Sequence, residues 1–273
     1  MKILVPIDFT AVTENALSYA IQLPSVKEVL LFHVISKGGD VEKSTSQLAA
    51  LADKYRNAFS GMFSISVKEG NIFDQIGEEA LEMHCDLIVM GTHGISGMQQ
   101  FLGSRAMKVI TNSKTPYILV QKKPFPPANK MLVPVDYTKE NKQVIPFLST
   151  LAKLLGAKVL LTSQDPGKDE FIKNKLDNNT SYYKNALASM DVLPEVVEQK
   201  FNYEKRHKSI VDVALKYDAD MIVTAIDPKV GVVDYIMGVE EQKIVANEAQ
   251  IPVLCINIRN FTRFSGSIFD GGA

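Results

Sequence analysis

The chain has 273 residues, 46% hydrophobic and 22% charged, longer than the usual ~100–150 residues of one domain and apolar enough for two cores. With 30 basic and 31 acidic side chains the formal net charge is -1, which excludes the basic footprint of a nucleic-acid binder and electrostatic capture by an anionic membrane. The two cysteines are too few for a disulfide framework or a cysteine metal centre.

The opening stretch KILVPIDFT reads as a strand over residues 3–7 and a turn at Asp8. It lacks the unbroken apolar run of a secretory signal, and no segment approaches the ~20 apolar residues of a membrane span. A cytoplasmic protein is the expectation. Helical spacing of Leu17, Ala20 and Ile21 follows, then short apolar runs at 29–34 and 63–67. Ile72, Ile76, Ala80 and Met83 again have helical spacing, with Asn71 placed as N-cap. Further strands are predicted at 87–90 and 117–120, separated by a glycine-rich turn and an amphipathic helix. Strands alternating with helices imply right-handed crossovers and a parallel sheet covered on both faces.

The same plan is then repeated. KILVPIDFT at 2–10 returns as KMLVPVDYT at 130–138, CDLIVMGTHG as ADMIVTAIDP, and TPYILVQ as IPVLCIN. The stretch KKPFPPANK between the copies has the proline content of a stiff linker. The reading is an α/β chain of two tandem doubly wound five-stranded parallel-sheet domains, at 1–123 and 130–258, joined through 124–129 and followed by a tail at 259–273. Second-half strands are expected at 131–135, 158–162, 195–199, 221–225 and 253–256, and DNNTSYYKNALASM as the end of a helix before the third of them.

Ligands of open α/β sheets bind beyond the carboxyl ends of the strands, where strand order reverses. In the first half that place joins Pro6, Ile7 and Asp8 to the sequence LIVMGTHGISGMQQFLGSRAMKVI. Glycines there permit tight turns; they also let backbone N–H groups approach an anion, and a helix starting at Gly103-Ser104 would add a positive dipole end. Asp8 suits either a helix cap or a ligand contact, whereas Asp136, its repeat, suits a cap. His93 reads as a solvated loop residue, and Arg105 and Lys108 as helix-surface cations able to neutralise phosphate. No P-loop, dinucleotide fingerprint or nucleophile elbow occurs in the sequence.

With VPIDFT at the first strand, HV at the end of the second, GNIFDQIGEEA, CDLIVMGTHG, FLGSRAMKVI and TPYILVQ, the chain resembles the universal stress protein family over nearly its whole length, as two copies. The resemblance implies a Rossmann-like, adenine nucleotide alpha hydrolase-like fold and a stress-response regulator with little or no catalysis. It implies that Pro6, Asp8 and the Val34 backbone surround an adenosine. Met90, Gly91, Gly94, Gly103, Ser104 and the Arg105 backbone would line the ribose and phosphates of ATP, AMP or ADP, with or without Mg. Between Gly94 and Gly103 this sequence has ISGMQQFL, one residue fewer than the family's nucleotide-binding pattern, and Gly97 would absorb the difference.

The second copy departs further. Ala225 and Pro228 replace the first two glycines, Val239 replaces the hydroxyl residue, and Asp227 and Asp234 put negative charge where phosphate would sit, so no nucleotide is expected there. The family resemblance further implies pairing through fifth strands, here as a pseudo-dimer near Ile118 and Leu254 within one chain, with a further homodimer through other edges left open. The rival reading is a protein-interaction module with both nucleotide pockets vestigial.

Overall fold

The computed structural model describes residues 1–92, 113–137, 140–226 and 239–258. The tail at 259–273 lies outside them. In the first half the elements run β1 (Lys2–Pro6), α1 (Ala11–Gln22), β2 (Glu28–Ile35), α2 (Val41–Tyr55), β3 (Met62–Glu69), α3 (Ile72–Glu82), β4 (Leu87–Gly91) and β5 (Tyr117–Val120). In the second they run β6 (Lys130–Val135), a 3-10 turn (Glu140–Val144), α4 (Ile145–Leu155), β7 (Lys158–Ser163), α5 (Glu170–Ala188), β8 (Glu195–Val196), α6 (Arg206–Lys216), β9 (Met221–Ile226), α7 (Val239–Val245) and β10 (Val253–Asn257).

All ten strands form one sheet in the order β3-β2-β1-β4-β5-β10-β9-β6-β7-β8. Each half is parallel within itself, and the halves join antiparallel through β5 and β10, where Ile118 lies opposite Leu254. The order reads the same outward from this seam in both directions. Side chains along the strands alternate between two apolar layers, as a pleated sheet covered on both faces requires. Ile3 and Val5 join Leu17, Leu48, Leu148 and Leu187 on one face, while Leu4 joins Ile76, Ile210, Val213 and Ile244 on the other. Each layer runs through both halves, so the seam is core.

Polar groups stitch the joint. Gln121 donates from Nε2 to the carbonyls of Val245 and Asn247, Asn15 donates from Nδ2 to the Gln121 carbonyl at 2.6 Å, and the Lys123 N–H donates to Gln250 Oε1 at 2.8 Å. A repeated clamp closes the opposite end of each half. The Asp86 carboxylate accepts from the Lys2 N–H at 2.8 Å, and Asp220 accepts from the Asn129 and Lys130 N–H groups at 3.1 Å each. Replacing Asp220 by alanine removes the partner of two backbone donors, of which only the Lys130 N–H is part-buried, and is expected to cost about 1 kcal/mol, measurable as a drop in thermal midpoint without loss of the native circular dichroism.

The third strand of the second half is shorter than its sequence suggests. Residues 195–199 have strand character, yet β8 stops at Val196. The Thr162 hydroxyl donates to the Gln199 carbonyl at 2.8 Å, occupying an acceptor that a ladder N–H would use, and pairing resumes only as a single bridge between Gln164 and Phe201. The helix before it fills residues 170–188. Its start is fixed by Asp169, whose Oδ1 accepts from the N–H groups of Phe171 and Ile172.

Candidate functional site

In the first half β1 and β4 pair only at Ile3↔Leu87 and Leu4↔Ile88. Beyond that point β1 stays on β2 through Pro6, and β4 stays on β5 through Gly91. The two strands part where strand order reverses, so a crevice opens between Pro6 and Met90-Gly91. The second half repeats this: β6 and β9 pair only at Met131↔Met221 and Leu132↔Ile222, then follow their outer neighbours to Val135 and Ile226.

Asp8 serves the first crevice and the start of α1 together. Its Oδ1 accepts from the Thr10 N–H at 3.0 Å, the Thr10 hydroxyl at 2.6 Å and the Thr13 hydroxyl at 2.9 Å. This satisfies the backbone N–H of the N-cap, Thr10, whose own side chain makes no cap bond to the helix. Oδ2 takes no hydrogen bond among the described residues. Phe9, next in sequence, has φ 62°, a left-handed backbone uncommon for a bulky residue and frequent at sites where the chain is held for a purpose. Its ring packs 4.9 Å from that of His33, and His33 Nδ1–H donates to the Ile7 carbonyl at 2.6 Å. Since a carbonyl only accepts, the Nδ1 tautomer is fixed. Val34 lies beside His33 near the carboxyl end of β2.

Of the sequence-predicted site residues, the structure thus gathers Pro6, Asp8, Val34, Met90 and Gly91 at the carboxyl ends of β1, β2 and β4. Gly94, Gly103, Ser104 and Arg105 lie outside the described residues, as do His93, Gly97 and Lys108. Gly91 has a packing reason of its own. A Cβ there would meet the Val12 carbonyl oxygen at 2.7 Å and Val12 Cγ1 at 2.9 Å, so the glycine lets α1 close on β4. Ala225 bears the methyl that Gly91 omits, and the segment preceding α4 is the 3-10 turn over Glu140–Val144, where the first half already has α-helix.

The second crevice is filled. Arg206, first residue of α6, reaches Asp136 Oδ2 with Nη1 at 3.3 Å; the side chains are 16% and 4% exposed. Asn179 Nδ2 donates to the Asp136 carbonyl at 2.8 Å. The Tyr183 hydroxyl is pushed well above the usual tyrosine range, first by burial and then by the charge of Asp136. Among the described residues, Val133, Pro134, Tyr183, Arg206, Thr224 and Ala225 line a cavity of about 10 Å³ there. The expectation of a cap at Asp136 falls on residues 138 and 139, outside the described residues; Arg206 is one partner of its carboxylate. Sequence reading missed this arginine, although the repeat carried the signal: aligning EKRHKSIVDVALKYDADMIV with GNIFDQIGEEALEMHCDLIV sets Arg206 on Ile72 and Thr224 on Met90. Pro228 and Asp227 lie outside the described residues, as does Asp234; Val239 begins α7.

The two cysteines and the histidine beside one of them belong to the scaffold. Cys85 and Cys255 are buried and form no disulfide. The Cys85 thiol is pushed up to about 12 by burial, with Asp86, Glu28 and Glu79 adding to the shift against Lys2, which makes it a poor nucleophile at neutral pH. His84 takes φ 53° just beyond α3. Among the described residues no group of three or more His, Cys, Asp and Glu is placed to hold a metal ion, and no helix is long and apolar enough to cross a membrane.

The fold matches solved structures along nearly its full length. A universal stress protein from Archaeoglobus fulgidus DSM 4304 superposes with a TM-score of 0.70 at 16% identity, covering 94% of this chain and 98% of that one. A putative universal stress protein from Pseudomonas aeruginosa UCBPP-PA14 superposes with a TM-score of 0.64 at 17% identity, covering 94% and 92%. At these identities the likeness shows the fold alone. No curated protein matches the sequence. Residues 1–121, the half that holds the Asp8 crevice, match the model of the Universal stress protein family.

Proposed function

We propose that the chain is a tandem universal stress protein, with domains at 1–123 and 130–258, that binds ATP or another adenine nucleotide in its first crevice and acts as a stress-response regulator with little or no catalysis. The observation that carries the reading is the parting of β1 from β4 beside an Asp8 whose Oδ2 takes no hydrogen bond among the described residues, in the half that matches the family model. In this reading Asp8 accepts a hydrogen bond from a hydroxyl or amine of the nucleoside, and Pro6, Val34 and Met90 wall the crevice. Gly91, Gly94, Gly103, Ser104 and the Arg105 backbone form the seat for phosphate. Amides at a helix start supply both donors and a positive dipole end for such an anion. Asp8 is the one residue of this set whose type ordinarily acts as a general base, and in this reading it is engaged with the nucleoside, so turnover would be slow.

Isothermal calorimetry with ATP, ADP and AMP tests the proposal. The intact chain is expected to saturate at about one nucleotide per chain, and Gly103→Asp to abolish the heat, because a carboxylate at the helix start repels phosphate. Absence of heat with every nucleotide would overturn the proposal in favour of an interaction module.

A further inference from the structure

We propose that Arg206 is an intramolecular plug that seals the second crevice around one internal water molecule, held between the Arg206 Nε–H and the Thr224 hydroxyl. Strand geometry gives this half the same parting that opens the first crevice, so its closure needs a cause in the side chains. Arg206 supplies it: it stands where the first half has Ile72, comes from the start of α6, and reaches Asp136, the repeat of Asp8. Tyr183 from α5 closes the same cavity.

The residual space is the second observation. A volume of about 10 Å³ is close to the least that admits one water and far below the ~300 Å³ of a small-ligand site. Two buried polar atoms of the lining residues, Arg206 Nε and Thr224 Oγ1, lack a partner among the described residues. Leaving such groups unsatisfied is costly, and a water between them gives each a bond. Both are departures from the first half, where the aligned residues Ile72 and Met90 carry no such donor. An arginine and a threonine gained together around a one-water space are what a buried water site requires; an apolar void of that size would stay dry.

Two measurements test this, and neither depends on whether the first crevice takes a nucleotide. A crystal structure at a resolution that orders internal waters is expected to show one within hydrogen-bond reach of both atoms. An outward-turned Arg206, or no water at that place, would overturn the proposal. The plug is tested by thiol access. A Thr224→Cys chain is expected to resist a charged methanethiosulfonate reagent while Arg206 is present, and to react at least about tenfold faster once Arg206→Ala is added. Both chains also carry Cys255→Ala, because Cys255 lies beside residue 224 across β9 and β10, and Cys85, buried in the first half, stays slow in both and so reports that the fold has not simply opened. Should Arg206→Ala fail to fold because Asp136 is left charged, Arg206→Ile with Asp136→Asn removes both charges and carries the same expectation. Equal labelling with and without the arginine, fast or slow, refutes the plug.

Discussion

Ile118→Asp is expected to lower the free energy of unfolding by about 3–5 kcal/mol, the cost of an uncompensated buried charge, read from the urea midpoint by circular dichroism. Ile118 is fully buried and faces Leu254, also fully buried, across the antiparallel seam. Tyr117, Leu119, Val253 and Cys255 surround the pair with no more than 2% exposure, so a carboxylate there finds neither water nor a cation. Leu254→Asp should cost a similar amount from the other side. Leu254→Lys added to Ile118→Asp should recover part of the loss, since it sets an ammonium opposite the carboxylate. Leu81, 42% exposed on α3, is the control, and its replacement by aspartate is expected to stay within ~0.5 kcal/mol. A loss below that level for Ile118→Asp would mean that the seam does not hold the halves together.

Gly91→Ala separates packing from ligand binding. The added methyl carbon would lie 2.7 Å from a backbone oxygen of α1, and backbone cannot swing aside as a side-chain tip can. Such overpacking costs about 1–3 kcal/mol, and the loss is expected in protein free of any added ligand. Were Gly91 needed only to admit a ligand, the ligand-free protein would be unaffected. Gly77 gives the contrast: it sits inside α3, where the nearest neighbour of a new methyl would be Ser113 Oγ at 3.8 Å. Gly77→Ala is therefore expected to raise stability by about 0.5–1 kcal/mol.

Legibility in the sequence followed the range of the interaction concerned. β5 falls on the predicted residues 117–120, and the other first-half strands lie within a residue or two of theirs, because short apolar runs bounded by turns have few alternatives. The meeting of Ile118 with Leu254 came from the family resemblance rather than from periodicity, and the coordinates place the two residues directly opposite one another. β8 misled because period-two alternation says nothing of a threonine hydroxyl from the next strand taking the carbonyl at Gln199. The role of Gly91 was half visible: the need for a missing Cβ could be read, but whether a ligand or Val12 fills the space is a matter of three-dimensional approach. Arg206 was unreadable alone, since an arginine at a helix start is ordinarily solvated. Only alignment to Ile72, together with the aspartate 70 residues earlier that accepts it, gives it meaning.

The seam within one polypeptide has a consequence for how the two crevices change. Where two identical subunits meet through their fifth strands, any substitution near one pocket is imposed on the other, so a side chain that blocks one blocks both. Covalent fusion removes that coupling. Arg206 and Thr224 occur once per molecule, and the first half keeps isoleucine and methionine in their places. Symmetry of the scaffold is thereby retained while the two crevices carry different side chains, and each is free to change without the other.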